Sequence, residues 1–415
     1  MKFAAFLYFF GVVIISGLVG CETSAPQEPV TMRPADPPEP TLPPNLPTAS
    51  PKFQLERIIH LSGRKSLASV GDGWLPMVAI TDERILLFGR TAPPTESGSA
   101  VMLRFDHNGH ELGWEANLPL SDQQTIVALG LPTSAYVLTI NRDAFASGHY
   151  LHTLDGQGNL LSSTNGNFAQ GLAITPQGIL TNTGRTVRSD PSGFAIEIDR
   201  LQGTELVPYQ NIFLKLQAPF VWTGLAGNDR SIALAHVDEL PSFPERTLAL
   251  TIQDTDGNNQ EVSLLNYRRT ERETELGGFA VWPTAVLALG NRYAVHWSDY
   301  RDQETFRGNG EYLTMVSEDG RAGLSYKLEN ISDLERFEAG FVAATYNPSS
   351  QEVGLVLTDE VGTRLEALQV DARRSDMPPQ VIISPDRALF VVLWATHVAP
   401  FTSEPVISLA MVRRK

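Results

Sequence analysis

Two histidine pairs, His107-x-x-His110 and His149-x-x-His152, carry side chains that can bind metals. Residues three apart on a strand point to opposite faces, so neither pair chelates easily from one strand. No H-E-x-x-H helix supports them, and a lone cysteine, Cys21, cannot build a thiolate cage. The run Asp254-Thr-Asp-Gly-Asn-Asn-Gln-Glu261 has the acids of a calcium loop. It lacks the glycine at position six and the glutamate at position twelve that such a loop needs, and D-x-D-G is ordinary hairpin-turn chemistry. No metal is expected. G-x-S-x-G and a Gly-rich phosphate loop are also missing; Gly308-Asn-Gly310 is a two-glycine turn. No cofactor is expected. Carboxylates are plentiful, but a catalytic pair drawn from distant segments cannot be recognised in sequence. Nothing here recommends an enzyme.

These residues must be held by something, and the texture of the chain says what. From Phe53 onward, short runs of Val, Ile, Leu and Phe alternate with turn residues. Examples are Arg84–Phe88, Ala135–Ile140 and Ala388–Trp394, all strand-like in length and composition. Asp333–Ala339 is the one segment that reads as a short helix. A strand followed by an acidic or polar turn closing on glycine recurs at Gly109, Gly158, Gly203, Gly257, Gly320 and Gly362, spaced 49, 45, 54, 63 and 42 residues apart. Glycine supplies the positive φ that a tight hairpin demands. A period of ~40–50 residues holding about four strands is that of a β-propeller blade. Blades are expected to begin near Gly73, Gln124, Ala169, Phe220, Gly278, Glu338 and Gln380. The last has three strands, and Phe53–Leu61 from the N-terminal side is expected to supply the fourth, closing the ring. The fold class is thus all-β, a propeller of seven four-stranded blades over residues 53–415. An insert at 299–311 leaves six or eight blades open.

Aromatics sit at or near several expected inner strands: Trp74, Phe168, Trp222, Trp282 and Phe341. They could ring the central channel as a binding surface for a glycan, peptide or partner loop. They could equally pack between blades, where aromatic side chains bury the most area. With 32 basic against 47 acidic residues, net charge −15, the surface should repel nucleic acid.

The N-terminal segment has a different character. Lys2 precedes an apolar run from Phe3 to Val19, ending Leu18-Val19-Gly20-Cys21. This resembles the lipobox of bacterial lipoproteins, which implies a signal peptide over 1–20 and lipidation of Cys21. Two or more acyl chains would anchor the chain stably. In that family an Asp after the Cys tends to retain the protein at the inner membrane; Glu22 therefore points to the outer membrane of a Gram-negative host. Ten prolines between residues 25 and 51 exclude helix and favour extended polyproline II. Residues 21–52 are expected to be the lipidated cysteine and a tether, reaching at most roughly 95 Å from Glu22 to Lys52.

One further resemblance lies inside the domain. Ala294-Val-His-Trp-Ser-Asp-Tyr-Arg301, followed by Glu311–Gly320, looks like the W-x-D-x-R repeat of exported bacterial propellers. It implies that Asp299 caps a turn and that Arg301 pairs with an acid, as loop-fixing groups. The Asp box of sialidases and the repeated A-x-D-x-x-T-G-x-x-x-W motif of quinone-enzyme-like propellers are absent. The expectation is a lipid-anchored envelope protein whose propeller binds or scaffolds a protein or glycan partner. The rival is an enzyme acting on polysaccharide or peptide in the channel. Converging carboxylates in a deep acidic pocket would favour the rival.

Overall fold

The computed structural model describes residues 46–61, 76–90, 100–115, 123–141, 149–166, 168–190, 193–203, 205–214, 224–239, 245–268, 281–299, 301, 310–328, 330–346, 352–371, 378–396 and 406–415. Strand β1 (Phe53–Leu61) comes first and is used last. Blade 1 is β2 (Met77–Ile80), β3 (Ile85–Arg90), β4 (Ala100–Phe105) and β5 (Glu111–Glu115). Blade 2 is β6 (Gln123–Leu131), β7 (Ser134–Asn141), β8 (His149–Asp155) and β9 (Leu160–Gly166). Blade 3 is β10 (Phe168–Thr175), β11 (Gly178–Asp190), β12 (Gly193–Gln202) and β13 (Glu205–Leu214). Blade 4 is β14 (Gly224–Gly227), β15 (Ser231–Glu239), β16 (Glu245–Asp254) and β17 (Asn259–Arg268). Blade 5 is β18 (Val281–Leu289), β19 (Arg292–Asp299), β20 (Glu311–Ser317) and β21 (Ala322–Leu328). Blade 6 is β22 (Ile331–Phe337), β23 (Gly340–Tyr346), β24 (Val353–Thr358) and β25 (Arg364–Asp371). Blade 7 is β26 (Gln380–Ile383), β27 (Leu389–Thr396), β28 (Val406–Arg414) and, on its outer edge, β1.

Every sheet is antiparallel, six of them in simple strand order and the seventh as β1-β28-β27-β26, and each first strand touches the first strand of the next blade. The contact from β26 back to β2 completes the circle, so this is a closed seven-bladed propeller. The closure is the expected one. β1 pairs antiparallel with β28 from Phe53↔Arg414 to Leu61↔Ile407, with a bulge at Leu55/Arg57. It removes the unpaired edge that β28 would otherwise expose.

The core is distributed as seven apolar clusters, one between each pair of neighbouring blades. This explains the sequence texture. Middle strands are covered on both faces, so they read as unbroken apolar runs: β24 is buried at every position. Outer strands are covered on one face and alternate, as β17 does.

The six turn glycines all adopt positive φ, from +63° at Gly203 to +87° at Gly158. Five of the turns share one circuit. The residue opening the turn, Asp106, Asp155, Asp254, Ser317 or Asp359, accepts at its carbonyl from the glycine N–H three residues on. The aspartates also accept at Oδ1 from the backbone N–H two and four residues on. In Asp254 the hydrogen bonds from the Asn258 side chain and backbone hold the carboxyl below its usual range. For Asp155, burial pushes the other way, but hydrogen bonds from Asn159, Gln157 and Gly158 win.

Two expectations are corrected. Asp333–Ala339 is not a helix; Ile331–Phe337 is the inner strand of blade 6, paired with β23 from Ile331↔Thr345 to Phe337↔Gly340. Blade 6 accordingly starts at Ile331, seven residues before the expected Glu338. Its charged residues broke the apolar pattern that marks the other inner strands.

Candidate channel site

The inner strands of six blades, β2, β6, β10, β14, β18 and β26, carry no charged residue. Only β22, Ile-Ser-Asp-Leu-Glu-Arg-Phe, is charged. Its pleat sets Leu334 opposite Ala343, in the apolar cluster shared with blade 5. Asp333 and Glu335 stand on the other face, opposite Ala344 and Val342, both in the cluster shared with blade 7. Both acids are half-buried. Asp333 Oδ2 accepts the Val381 N–H of β26 at 2.9 Å, bridging two inner strands at the channel wall. Arg336, on the same strand, does not neutralise them; it donates to the Ala288 carbonyl at 2.9 Å.

Burial pushes the carboxyl of Asp333 up; the Val381 N–H and His296 oppose this, and Glu311 adds to it. Burial, reinforced by the neighbouring Asp333, pushes Glu335 up to about 8. The linkage has a definite sign. A raised folded-state pKa stabilises the fold fully below the unfolded value near 4.5 and loses that contribution as pH rises through 8. Glu335→Gln, which cannot ionise, is therefore expected to melt above the parent protein at pH 9 and level with it at pH 4. Equal melting temperatures at pH 9 would refute a strained carboxylate there.

Behind this wall, on blade 5, lies a second polar group. His296 is fully buried, with Nε2 2.9 Å from Glu311 Oε2. Neither ring nitrogen makes a hydrogen bond of good geometry among the described residues. Ser298 Oγ donates toward both Glu311 oxygens at 2.8 Å and meets Thr284 Oγ1 at 3.1 Å. Serine, histidine and acid are all present, but Glu311 sits between the other two. A nucleophilic triad needs the imidazole on the hydroxyl; this order ties the serine proton to a carboxylate.

The expected site residues fall out as follows. Cys21, Trp74 and Trp222 lie outside the described residues. Phe168 opens the inner strand β10, and Trp282 is half-buried on the inner strand β18. Phe341 is on the second strand of blade 6, 1 % exposed in the cluster with blade 5, so it offers no surface to a ligand. Asp299 and Arg301 form a two-pronged ion pair at 2.9 and 2.7 Å, and Arg301 lies 5.1 Å over the Tyr267 ring. Asp299 also accepts the Arg301 N–H, closing the turn.

The histidine pairs are split up. His107 Nε2 meets the Thr81 carbonyl at 2.8 Å, and His110 meets Asp106 at 2.9 Å. His152 is clamped between Thr139 and Ser163, and burial lowers its pKa to about 4. Among the described residues no group of three or more His, Cys, Asp or Glu is placed to hold a metal ion. A cleft of about 490 Å³ lies between blades 4 and 5, lined by Arg230, Asp254, Asn259 and Glu318 among others. Its side chains serve the fold: Glu318 accepts from Asn228, and Asn259 donates to the Phe213 carbonyl. Sequence reasoning missed Asp333, Glu335, His296 and Glu311. The usable signal was the charge on one inner strand among seven.

No protein-family model matches the chain, and no curated protein matches it. Some solved structures are similar to it at low identity. A streptogramin B lyase is 12 % identical over 88 % of this chain and 98 % of that one, with a TM-score of 0.46. The β-propeller domain of the Trilobed protease from Pyrococcus furiosus is 10 % identical over 81 % and 94 %, TM-score 0.46. A GH93 α-L-arabinofuranosidase of Fusarium graminearum is 12 % identical over 68 % and 89 %, TM-score 0.41. At these identities and TM-scores the likeness says nothing of what this chain does.

Proposed function

We propose that the chain is a lipid-anchored protein of the cell envelope, held at the outer membrane through Cys21, whose propeller is a rigid non-catalytic platform for a protein or glycan partner. The observation that supports this reading is how the end of the Pro-rich segment meets the domain. The Gln369 N–H of the outer strand β25 donates to the Pro47 carbonyl at 2.7 Å. Leu46 fills the space that a Cβ on Gly354 would need. Ser50 Oγ accepts the N–H groups of Lys52 and Phe53, and the C-terminal Lys415 donates to the Ser50 carbonyl. A tether stapled to blade 6 would pass the pull of an anchor to the whole ring. Rigid rings of this kind present loops to partners.

The test is Cys21→Ser. The parent protein is expected in the membrane pellet and the detergent phase, the variant almost wholly in the soluble fraction. Unchanged detergent partitioning of the variant would end the anchoring proposal. A second reading, an enzyme acting on polysaccharide or peptide in the channel, draws on Glu335. A carboxyl that stays protonated near neutrality has the state of a general acid. Turnover of such a polymer that disappears in Glu335→Gln would favour it.

A further inference from the structure

We propose that the outer edge of blade 6 is a strand-docking site for an extended segment of a partner protein, which residues 46–49 of this chain cover as a strap. This deepens the platform reading, on which it rests, by naming a protein strand as the partner and β25 as the place it joins.

β25 is the last strand of its sheet, so its outward backbone groups have no further strand to pair with. The strap runs antiparallel to it, from beside Gln369, near the end of β25, to Phe53, at the turn end of blade 7. The Gln369 N–H finds the Pro47 carbonyl at 2.7 Å. Opposed residues of an antiparallel pair exchange two such bonds. Pro47 has no N–H to give back, so the pairing is half-made.

An independent observation comes from the side chains beneath. Gln369 stands beside Gly354 of β24, and Gly354 beside Thr345 of β23. A Cβ on Gly354 would lie 2.1 Å from Leu46 Cδ1 and 2.7 Å from Thr345 Oγ1. The missing side chain therefore makes a notch that takes Leu46, with a hydroxyl for its wall. Thr345 is 6 % exposed, and its Oγ1 has no hydrogen-bond partner among the described residues. An unmatched buried hydroxyl is costly, and Leu46 brings only methyl groups to it.

The strap thus fits in shape and falls short in bonding at two points. One kind of segment makes good both. It is extended, sets any residue but proline opposite Gln369, and places before it a side chain of leucine's size with a polar end. Asparagine has that size and offers a hydroxyl both a donor and an acceptor. Addition of such a strand to a sheet edge takes its affinity from the main chain and its specificity from the notch. Lifting the strap leaves the ring closed. Ser50 keeps its hydrogen bonds with Lys52, Phe53 and Lys415, and β1 keeps its pairing with β28.

Fluorescence anisotropy on the full lipidated chain in detergent micelles tests this with two labelled peptides. One copies residues 41–50; the other is that copy with Leu46→Asn and Pro47→Val. The second is expected to bind at least tenfold more tightly than the first. Its binding should tighten at least fivefold again when the strap is weakened by Leu46→Ser in the chain. Thr345→Val, which keeps the shape of the wall and removes the hydroxyl, should cut the advantage of the second peptide at least threefold. Gly354→Ala, whose Cβ fills the notch, should abolish binding; if that variant does not fold, Thr345→Val decides alone. Absence of binding by both peptides to the folded Leu46→Ser chain overturns the site. So do equal affinities of the two peptides, and binding that the notch variants leave unchanged. If both peptides fail while Cys21→Ser still releases the protein from membranes, the docking edge falls and the anchored platform stands. If they bind while Cys21→Ser leaves detergent partitioning unchanged, the anchor falls and the edge stands.

Discussion

Phe390→Ala is expected to lower the free energy of unfolding by about 3–5 kcal/mol, the cost of emptying a fully packed aromatic site. Phe390 is on β27, wholly buried. Its ring meets Phe53 edge-on at 5.4 Å and Phe337 at 5.2 Å. Phe53 belongs to the N-terminal strand β1, Phe390 to the C-terminal blade and Phe337 to the inner strand of blade 6. The three rings therefore join both ends of the chain to the neighbouring blade. Edge-to-face pairs add roughly 0.5–1.5 kcal/mol each beyond the area they bury. The loss should fall on ring closure, so β1 is expected to become accessible to protease before the other blades do. Urea unfolding followed by circular dichroism checks the energy, and limited proteolysis checks the order. A change below about 1 kcal/mol would show that β1 is held by its backbone pairing with β28 and not by this cluster.

Gly130→Ala is expected to be at least as damaging, for a different reason. Gly130 lies on the inner strand β6, and a Cβ there would stand 1.9 Å from the Ile80 carbonyl oxygen, with Ile80 N and C both at 2.6 Å. The obstacle is backbone, so no rotamer change clears it. Strands β2 and β6 would have to part, opening the interface of blades 1 and 2 at the channel. A loss of about 3 kcal/mol or more is expected, at the upper end of overpacking costs. Gly257→Ala is the control. It sits at φ +85° with nothing within 4 Å, so it pays only the left-handed backbone strain of about 1–2 kcal/mol. Thermal melts of the two variants side by side decide the matter. Gly130→Ala melting level with Gly257→Ala would mean that the inner strands are looser than their approach suggests.

Much of the architecture was legible because propeller blades are built from local signals. Glycines 109, 158, 203, 257, 320 and 362 were marked as turn positions by composition alone, and all six take positive φ. The last blade is one strand short in the sequence, which points to Phe53–Leu61 as its fourth strand, and β1 pairs there. The insert at 299–311, which leaves the blade count open in sequence, lies within blade 5, between β19 and β20. The start of blade 6 is hidden in the sequence because Ser332-Asp-Leu-Glu-Arg336 is charged where an inner strand is expected to be apolar. Pairing with β23 and the burial of Leu334 and Phe337 overrode that local character.

The candidate site was not legible, for a reason of range. Turn type, strand length and the stiffness of a Pro-rich segment depend on residues within a few positions of one another, so the amino-acid order alone determines them. Which side chains meet across a blade interface depends on how separate sheets pack. Asp333 reaches Val381, and His296 comes to share its surroundings, only once β18–β21, β22–β25 and β26–β28 stand side by side. The environment that lifts Glu335 to about 8 is a property of that packing: its burial first, and then the neighbouring Asp333.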